Sequence, residues 1–141
     1  MTAATDLAAL FAALAEHLNA HPDLPGVNVS RSAPGYLLQI SSSALRCEPI
    51  NASALLLWHD TLTDPVLTAF HWGRSKDCPR GAKVEVVGKT LNGTEVRVWE
   101  VVPELGRILG FTKKGADRWA EAEFSVDILR ELAAAENGEQ S

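Results

Sequence analysis

Four histidines, two cysteines and a run of three serines are the side chains from which a reactive centre in this 141-residue chain would have to be built. His17 and His21 stand four apart, a spacing that on an unbroken helix sets two imidazoles on one side, with Asp23 near enough in sequence to add a carboxylate to a metal. Pro22 spoils that geometry, because a proline disfavours helical backbone in the residue before it. The helix is therefore expected to end by His21, where a histidine hydrogen-bonds terminal carbonyls and complements the helix dipole. His59 and Asp60 do not read as a relay, since adjacent helical side chains point about 100° apart. His59 is expected to be half-buried on the Leu55 and Leu62 side of its helix. His71 could meet His59, Cys47 and Cys78 in space, but structural zinc ligands come in close pairs and nothing in this spacing demands a site. Cys47 and Cys78 each stand alone, which favours reduced thiols over a disulfide framework or a zinc ribbon. Ser41, Ser42 and Ser43 lack the Gly-x-Ser-x-Gly elbow, and the glycines and lysines from Gly73 to Lys83 lack phosphate-loop spacing. No catalytic or metal set and no cofactor motif emerges, so the expected protein is not an enzyme.

Binding chemistry is better represented. The formal net charge of −5 hides a segregation: residues 74–118 hold ten basic against six acidic side chains, and the rest of the chain holds three against twelve. The positive part is densest at Arg74, Lys76, Arg80 and Lys83, to which Arg107, Lys113 and Lys114 would add if their loops share one end of a sheet. Those residues suit an anion or a nucleic acid, with Trp72 and Trp99 available to stack on bases. A solvated loop balanced by acidic helices explains them as well. The overall pI of 5.3 favours that simpler reading, because nucleic-acid binders carry a basic footprint.

Periodicity supplies the elements that must position these groups. Leu7, Leu10, Phe11, Leu14 and Leu18 recur at helical spacing after a capping Thr5 or Asp6. Val27 to Arg31 and Tyr36 to Ile40 alternate around Pro34-Gly35 as a hairpin. Asn51 or Ser53 can cap a helix through Leu55 and Trp58 that Asp64-Pro65 ends. Val66 to Trp72 reads as an interior strand. From Lys83 to Val102 a hairpin turns at Asn92-Gly93, and two loop choices compete there. A two-residue turn sets Glu85 opposite Glu100 and mixes charged with apolar residues on each face. A three-residue loop of Leu91, Asn92 and Gly93 gathers Val84, Val86, Val96 and Val98 on one face. It sets Glu85, Lys89, Glu95, Arg97 and Trp99 on the other, with Lys89 against Glu95. The three-residue loop is the expectation. After a glycine-punctuated connection, residues 118–124 read as an edge strand more readily than as helix, and Ser125 caps a last helix whose tail frays from Asn137.

The implied fold is α+β: a two-layer sandwich in which an antiparallel sheet of about five or six strands carries helices on one face. It forms a single domain over residues 1–136 with a tail at 137–141. No apolar run is long enough to span a membrane, and the basic start of a signal peptide is missing, so a cytoplasmic setting is expected. Trp99 falls on the polar face of the main hairpin beside Val87, where a tryptophan needs cover from a helix or a partner chain. A patch of Trp99, Arg97 and Val87 that meets a protein partner or a second copy is the preferred reading. Nucleic-acid contact through Arg74, Lys76, Arg80 and Lys83 is the second.

The helix ending in His-Pro-Asp-Leu-Pro-Gly within Leu14 to Ser30, and the run Gly-Lys-Thr-Leu-Asn-Gly-Thr-Glu-Val-Arg-Val-Trp from Gly88, resemble small uncharacterised α+β proteins of actinobacteria and their phages or mobile elements. The resemblance covers about a quarter of the chain and rests on turn-and-strand patterns. It implies a cytoplasmic bacterial or phage setting and contributes no catalytic residue; the reading of the residues themselves is a regulatory or protein-interaction module.

Overall fold

The structure, a computed structural model, describes residues 3–31, 35–40, 51–71, 80–111 and 120–140. Its elements run α1 (Ala3–Ala20), β1 (Val27–Arg31), β2 (Tyr36–Ile40), α2 (Asn51–Thr61), β3 (Thr63–His71), β4 (Ala82–Lys89), β5 (Glu95–Val102), α3 (Leu105–Ile108), β6 (Glu121–Glu123) and α4 (Val126–Gln140). The strands form one six-stranded open sheet in the order β1-β2-β5-β4-β3-β6. Every neighbouring pair is antiparallel except β2 and β5, which run parallel through Leu38 beside Val98 and Gln39 beside Trp99. The sheet is thus mostly antiparallel, as expected of this α+β fold, with one parallel contact where β2 meets β5. No described helix is long and apolar enough to cross a membrane.

The alternation that predicts the main hairpin also sets its register. Lys89 faces Glu95, Gly88 faces Val96 and Val86 faces Val98. The three-residue loop closes with a hydrogen bond from the Thr90 N–H to the Thr94 carbonyl at 2.9 Å, and Gly93 lies at φ 83°, the left-handed region that costs glycine little. Asn92 Oδ1 stiffens the tip by accepting from the Thr90 hydroxyl at 2.8 Å and from the Thr94 N–H at 3.2 Å. Val84, Val86 and Val98 consequently point one way and are wholly buried. They meet Leu38 and Ile40 from β2, Leu67 and Ala69 from β3, and the apolar stripes of three helices in one continuous core. The stripes are Leu10 and Leu14 of α1, Leu55 and Trp58 of α2, and Leu129 and Ala133 of α4. Burying each large side chain stabilises the fold by about 1.5–3 kcal/mol before entropy is charged against it.

Several local expectations are corrected. Helix α2 stops at Thr61, and Asp64-Pro65 lie inside β3, where Asp64 takes φ 51° at a register shift between Thr63 and Val66. Neither Asn51 nor Ser53 caps α2 from its own side chain. Glu136 of α4 does so from 84 positions away, its carboxylate accepting from the N–H groups of Ala52 and Ser53 at 3.0 Å each and from the Ser53 hydroxyl at 2.7 Å. The Asn51 amide donates instead to the Val101 carbonyl. The first N–H groups of any helix need acceptors, and a buried carboxylate on a neighbouring helix satisfies that need as well as a local oxygen would. Short α3 falls in the connection that reads as glycine-punctuated loop. Gly106 is there by necessity, since a Cβ at that position would lie 2.4 Å from the Gly81 carbonyl oxygen. Residues 121–123 form an edge strand as expected, and the Ser125 hydroxyl accepts from the Asp127 N–H at 3.2 Å to start α4. Helical backbone in α4 continues to Gln140.

Candidate functional site

All three long helices contribute their apolar stripes to one side of the sheet, leaving the opposite side without a helix among the described residues. Cross-strand partners share a face, so the register names the occupants of that outer side. Beta-strand β4 contributes Lys83, Glu85, Val87 and Lys89, and β5 contributes Glu95, Arg97, Trp99 and Val101. Phe70, Thr68 and Val66 of β3 stand opposite Lys83, Glu85 and Val87, while Glu121 and Glu123 of β6 flank Phe70 and Thr68. Exposure rises along this face, from Val101, fully buried, to Val66 at 45%.

Two groups that sequence reasoning kept apart come together here. Lys83, assigned to the basic segment, holds its ammonium 5.1 Å from the centre of the Trp99 ring and 5.7 Å from that of Phe70. Each ring offers the negative face of its quadrupole, so one cation on β4 is shared between two aromatics on the strands that flank it. Trp99 and Val87 are half-buried rather than fully covered. Arg97 approaches Glu85 at 3.8 Å, a long and weak ion pair. The face therefore presents an aromatic and aliphatic strip, Phe70, Trp99, Val87 and Val66, bordered by both signs of charge. Phe70 and Val66 did not stand out in the sequence. Only the β3–β4 register places them beside Lys83 and Val87.

The remaining basic residues divide. Arg80 is exposed and lies 3.9 Å from Glu104, which also accepts from the Arg107 Nε–H at 2.6 Å. Glu104 binds both while held at φ 67° ahead of α3. Arg80 and Arg107 are thus gathered as expected, but around a carboxylate that offsets their charge. Arg74, Lys76, Lys113, Lys114 and Trp72 lie outside the described residues, as do Ser41 to Ser43, the turn at 32–34, Cys47 and Cys78.

His59 is half-buried, as expected. His59 Nδ1 lies 3.0 Å from Asp60 Oδ1, so these neighbours do interact at the C-terminal end of α2. Asp60 is anchored there by Arg130 of α4 at 2.9 and 3.2 Å. Burial works to raise the Asp60 pKa, but the hydrogen bonds from Arg130 and His59 outweigh it and the net direction is down. His17 lies in the last turn of α1. It is fully buried, its Nε2 lies 2.9 Å from Thr61 Oγ1, and its ring stacks on Trp58 with centroids 5.8 Å apart. Trp58 Nε1 donates in turn to the Pro25 carbonyl at 3.1 Å. Glu100, also overlooked in the sequence, is wholly buried on the helix-covered face and accepts from the Val101 N–H at 2.8 Å. A strictly alternating strand hides such a residue, because its neighbours Trp99 and Val101 draw the eye to the other face.

Beside α1 a half-open cleft of about 300 Å³ lies over Leu10, Leu38 and Val96, with Asp6, Glu95 and Arg97 at its margin. Among the described residues no three His, Cys, Asp or Glu side chains converge as a metal-binding group. Comparison with protein-family models, with curated proteins and with solved structures gives no match to this chain, so its reading rests on this geometry.

Proposed function

We propose that the protein is a non-enzymatic interaction or regulatory module that engages a protein partner, or a second copy of itself, through the outer face of its sheet. The observation that carries this reading is the aromatic pair Trp99 and Phe70 bridged by Lys83, on the side of the sheet that no described helix packs against. Aromatic and aliphatic side chains ringed by mixed charges are the composition of a protein-binding patch: the apolar centre supplies affinity and the rim supplies register. Arg97 and Val87 complete that patch on adjoining strands. The resemblance to small actinobacterial and phage proteins suggests a bacterial or phage cytoplasmic setting.

Nucleic-acid binding is the second reading, supported by an aromatic sheet surface that carries Lys83 and by exposed Arg80 near the same strand. Two features weigh against it. Glu85, Glu95, Glu121 and Glu123 share the face with Lys83, Lys89 and Arg97, so the surface is not a phosphate-seeking one. Moreover, the ring faces that would stack on bases already hold a lysine.

Light scattering over a range of protein concentrations, with and without mixed DNA and RNA at two salt levels, separates these possibilities. A concentration-dependent dimer that Trp99→Ala with Arg97→Ala abolishes, without loss of circular dichroism, supports the self-association form. If the protein stays monomeric, photocrosslinking from Val87 and Val66 in cells should trap a partner that the same double substitution releases. Crosslinks no different from those at Phe11, on the outside of α1, would remove the outer face from consideration. A salt-sensitive rise in mass with nucleic acid would transfer the assignment to the second reading.

A further inference from the structure

The contact between α1 and α2 contains a titratable group that the outer face of the sheet does not use. Among the described residues, α1 buries four side chains, Leu10, Ala13, Leu14 and His17, and His17 is the only polar one. Its protonation state follows from its partners. The Thr61 hydroxyl donates to the Trp58 carbonyl at 2.9 Å, so its oxygen is left to accept, and the proton of the neutral imidazole belongs on Nε2. Nδ1 is then the bare nitrogen, and it is buried without a hydrogen-bond partner among the described residues.

A second proton would have to go to that nitrogen. The product is a buried N–H with no acceptor and a charge out of reach of water, beside the His21 ring at 4.9 Å. Two effects oppose this cost: the Trp58 ring beneath the imidazole and the carbonyl end of α1 both favour a cation. The charged and titratable groups around the contact do not add to them. His21 is a second base, and on α2 Asp60 is held by Arg130 and His59. Asp23, in the turn after α1, is exposed.

We propose that His17 is an acid-released latch: proton uptake at Nδ1 frees the C-terminal half of α1 from Trp58 and Thr61 of α2 while the six-stranded sheet stays folded. Burial, followed by the nearby His21, holds the ring below its ordinary value of 6.5. The contact is therefore at full strength above that value, and weakens as the pH falls below it toward the value of the folded ring. Release exposes Leu14 and the stripe around it, so acidification would uncover an apolar helix face on the side of the sheet away from Trp99.

Hydrogen exchange followed by mass spectrometry on the full chain, corrected for intrinsic rates, tests this at about pH 7.5 and about pH 5. Protection in residues 10–20 should fall by about tenfold or more at the lower pH while β4 and β5 keep theirs. His17→Phe, which retains a stacked ring and cannot take up a proton, should remove the difference. Equal loss in the sheet, no loss in α1, or the same loss in His17→Phe would overturn the latch. Should that variant fail to fold, imidazole nitrogen shifts of the wild-type protein decide the matter. A neutral Nε2–H form of His17 that titrates below the ordinary value of 6.5 supports it, and titration at or above that value overturns it.

Discussion

The meander β3–β4–β5 and the N-terminal unit α1–β1–β2 both set antiparallel strands beside helices, but they are fastened by different means. In the meander, consecutive strands pair over nearly their full lengths, with Val84, Val86 and Val98 buried beneath α2. The N-terminal unit joins the sheet through two parallel residue pairs, Leu38 with Val98 and Gln39 with Trp99, and joins the helical layer through His17 on Trp58 and Thr61, the Trp58–Pro25 hydrogen bond and the stripe of Leu10 and Leu14. Local pairing makes one region self-supporting, whereas the other depends on a few side chains reaching across the chain. This contrast predicts that the N-terminal unit opens sub-globally, at lower free energy than the meander.

Trp58 is the strongest lever on that contrast, because one fully buried ring serves both regions. Trp58→Ala is expected to cost about 3–5 kcal/mol by denaturant unfolding and to loosen α1 beyond what the meander loses. A uniform loss of exchange protection would show the two regions to be one cooperative unit. Leu14→Ala should cost about 2–4 kcal/mol against the opening of α1, with β4 and β5 amides protected as before. Should those amides lose protection to the same extent, the separation fails. Glu136→Ala leaves the Ala52 and Ser53 N–H groups without their acceptor. It should lower stability by about 1–3 kcal/mol, seen as loss of helical signal and a lower urea midpoint. Gly93→Ala, forced to keep φ 83° in the meander's loop, should cost about 1–2 kcal/mol and leave α1 exchange unchanged.

The same contrast explains how much of the molecule is legible in its sequence. The main hairpin can be read down to its register, because alternation, the Lys89–Glu95 pair and the needs of Gly93 all point to one loop. Strand boundaries for β1 and β2 and the Ser125 cap follow from equally local signals. What sequence reasoning misses is chemistry completed from a distance. Glu136 as the cap of α2 and Trp58 as the partner of His17 leave no mark within a turn or two of the residues they serve. Pro22 does end the helix before His21, but nothing local shows that His17 in its last turn meets Thr61, 44 positions away. For the candidate site, Trp99, Arg97 and Val87 are placed on one face of the hairpin from the sequence, but Phe70 and the shared Lys83 need the β3–β4 pairing.

The parallel pairing of β2 with β5 also has a consequence for synthesis. Leu38 leaves the ribosome roughly 60 residues ahead of Val98, a delay of about 3–12 s at about 5–20 residues per second. During that interval the nascent hairpin β1–β2 has no strand to lie against, and the apolar stripe of α1 lacks Val96 for nearly all of it and Trp58 for about the first third. Translation speed across the second half of the message thus sets how long a sticky intermediate is presented to chaperones and to neighbouring chains.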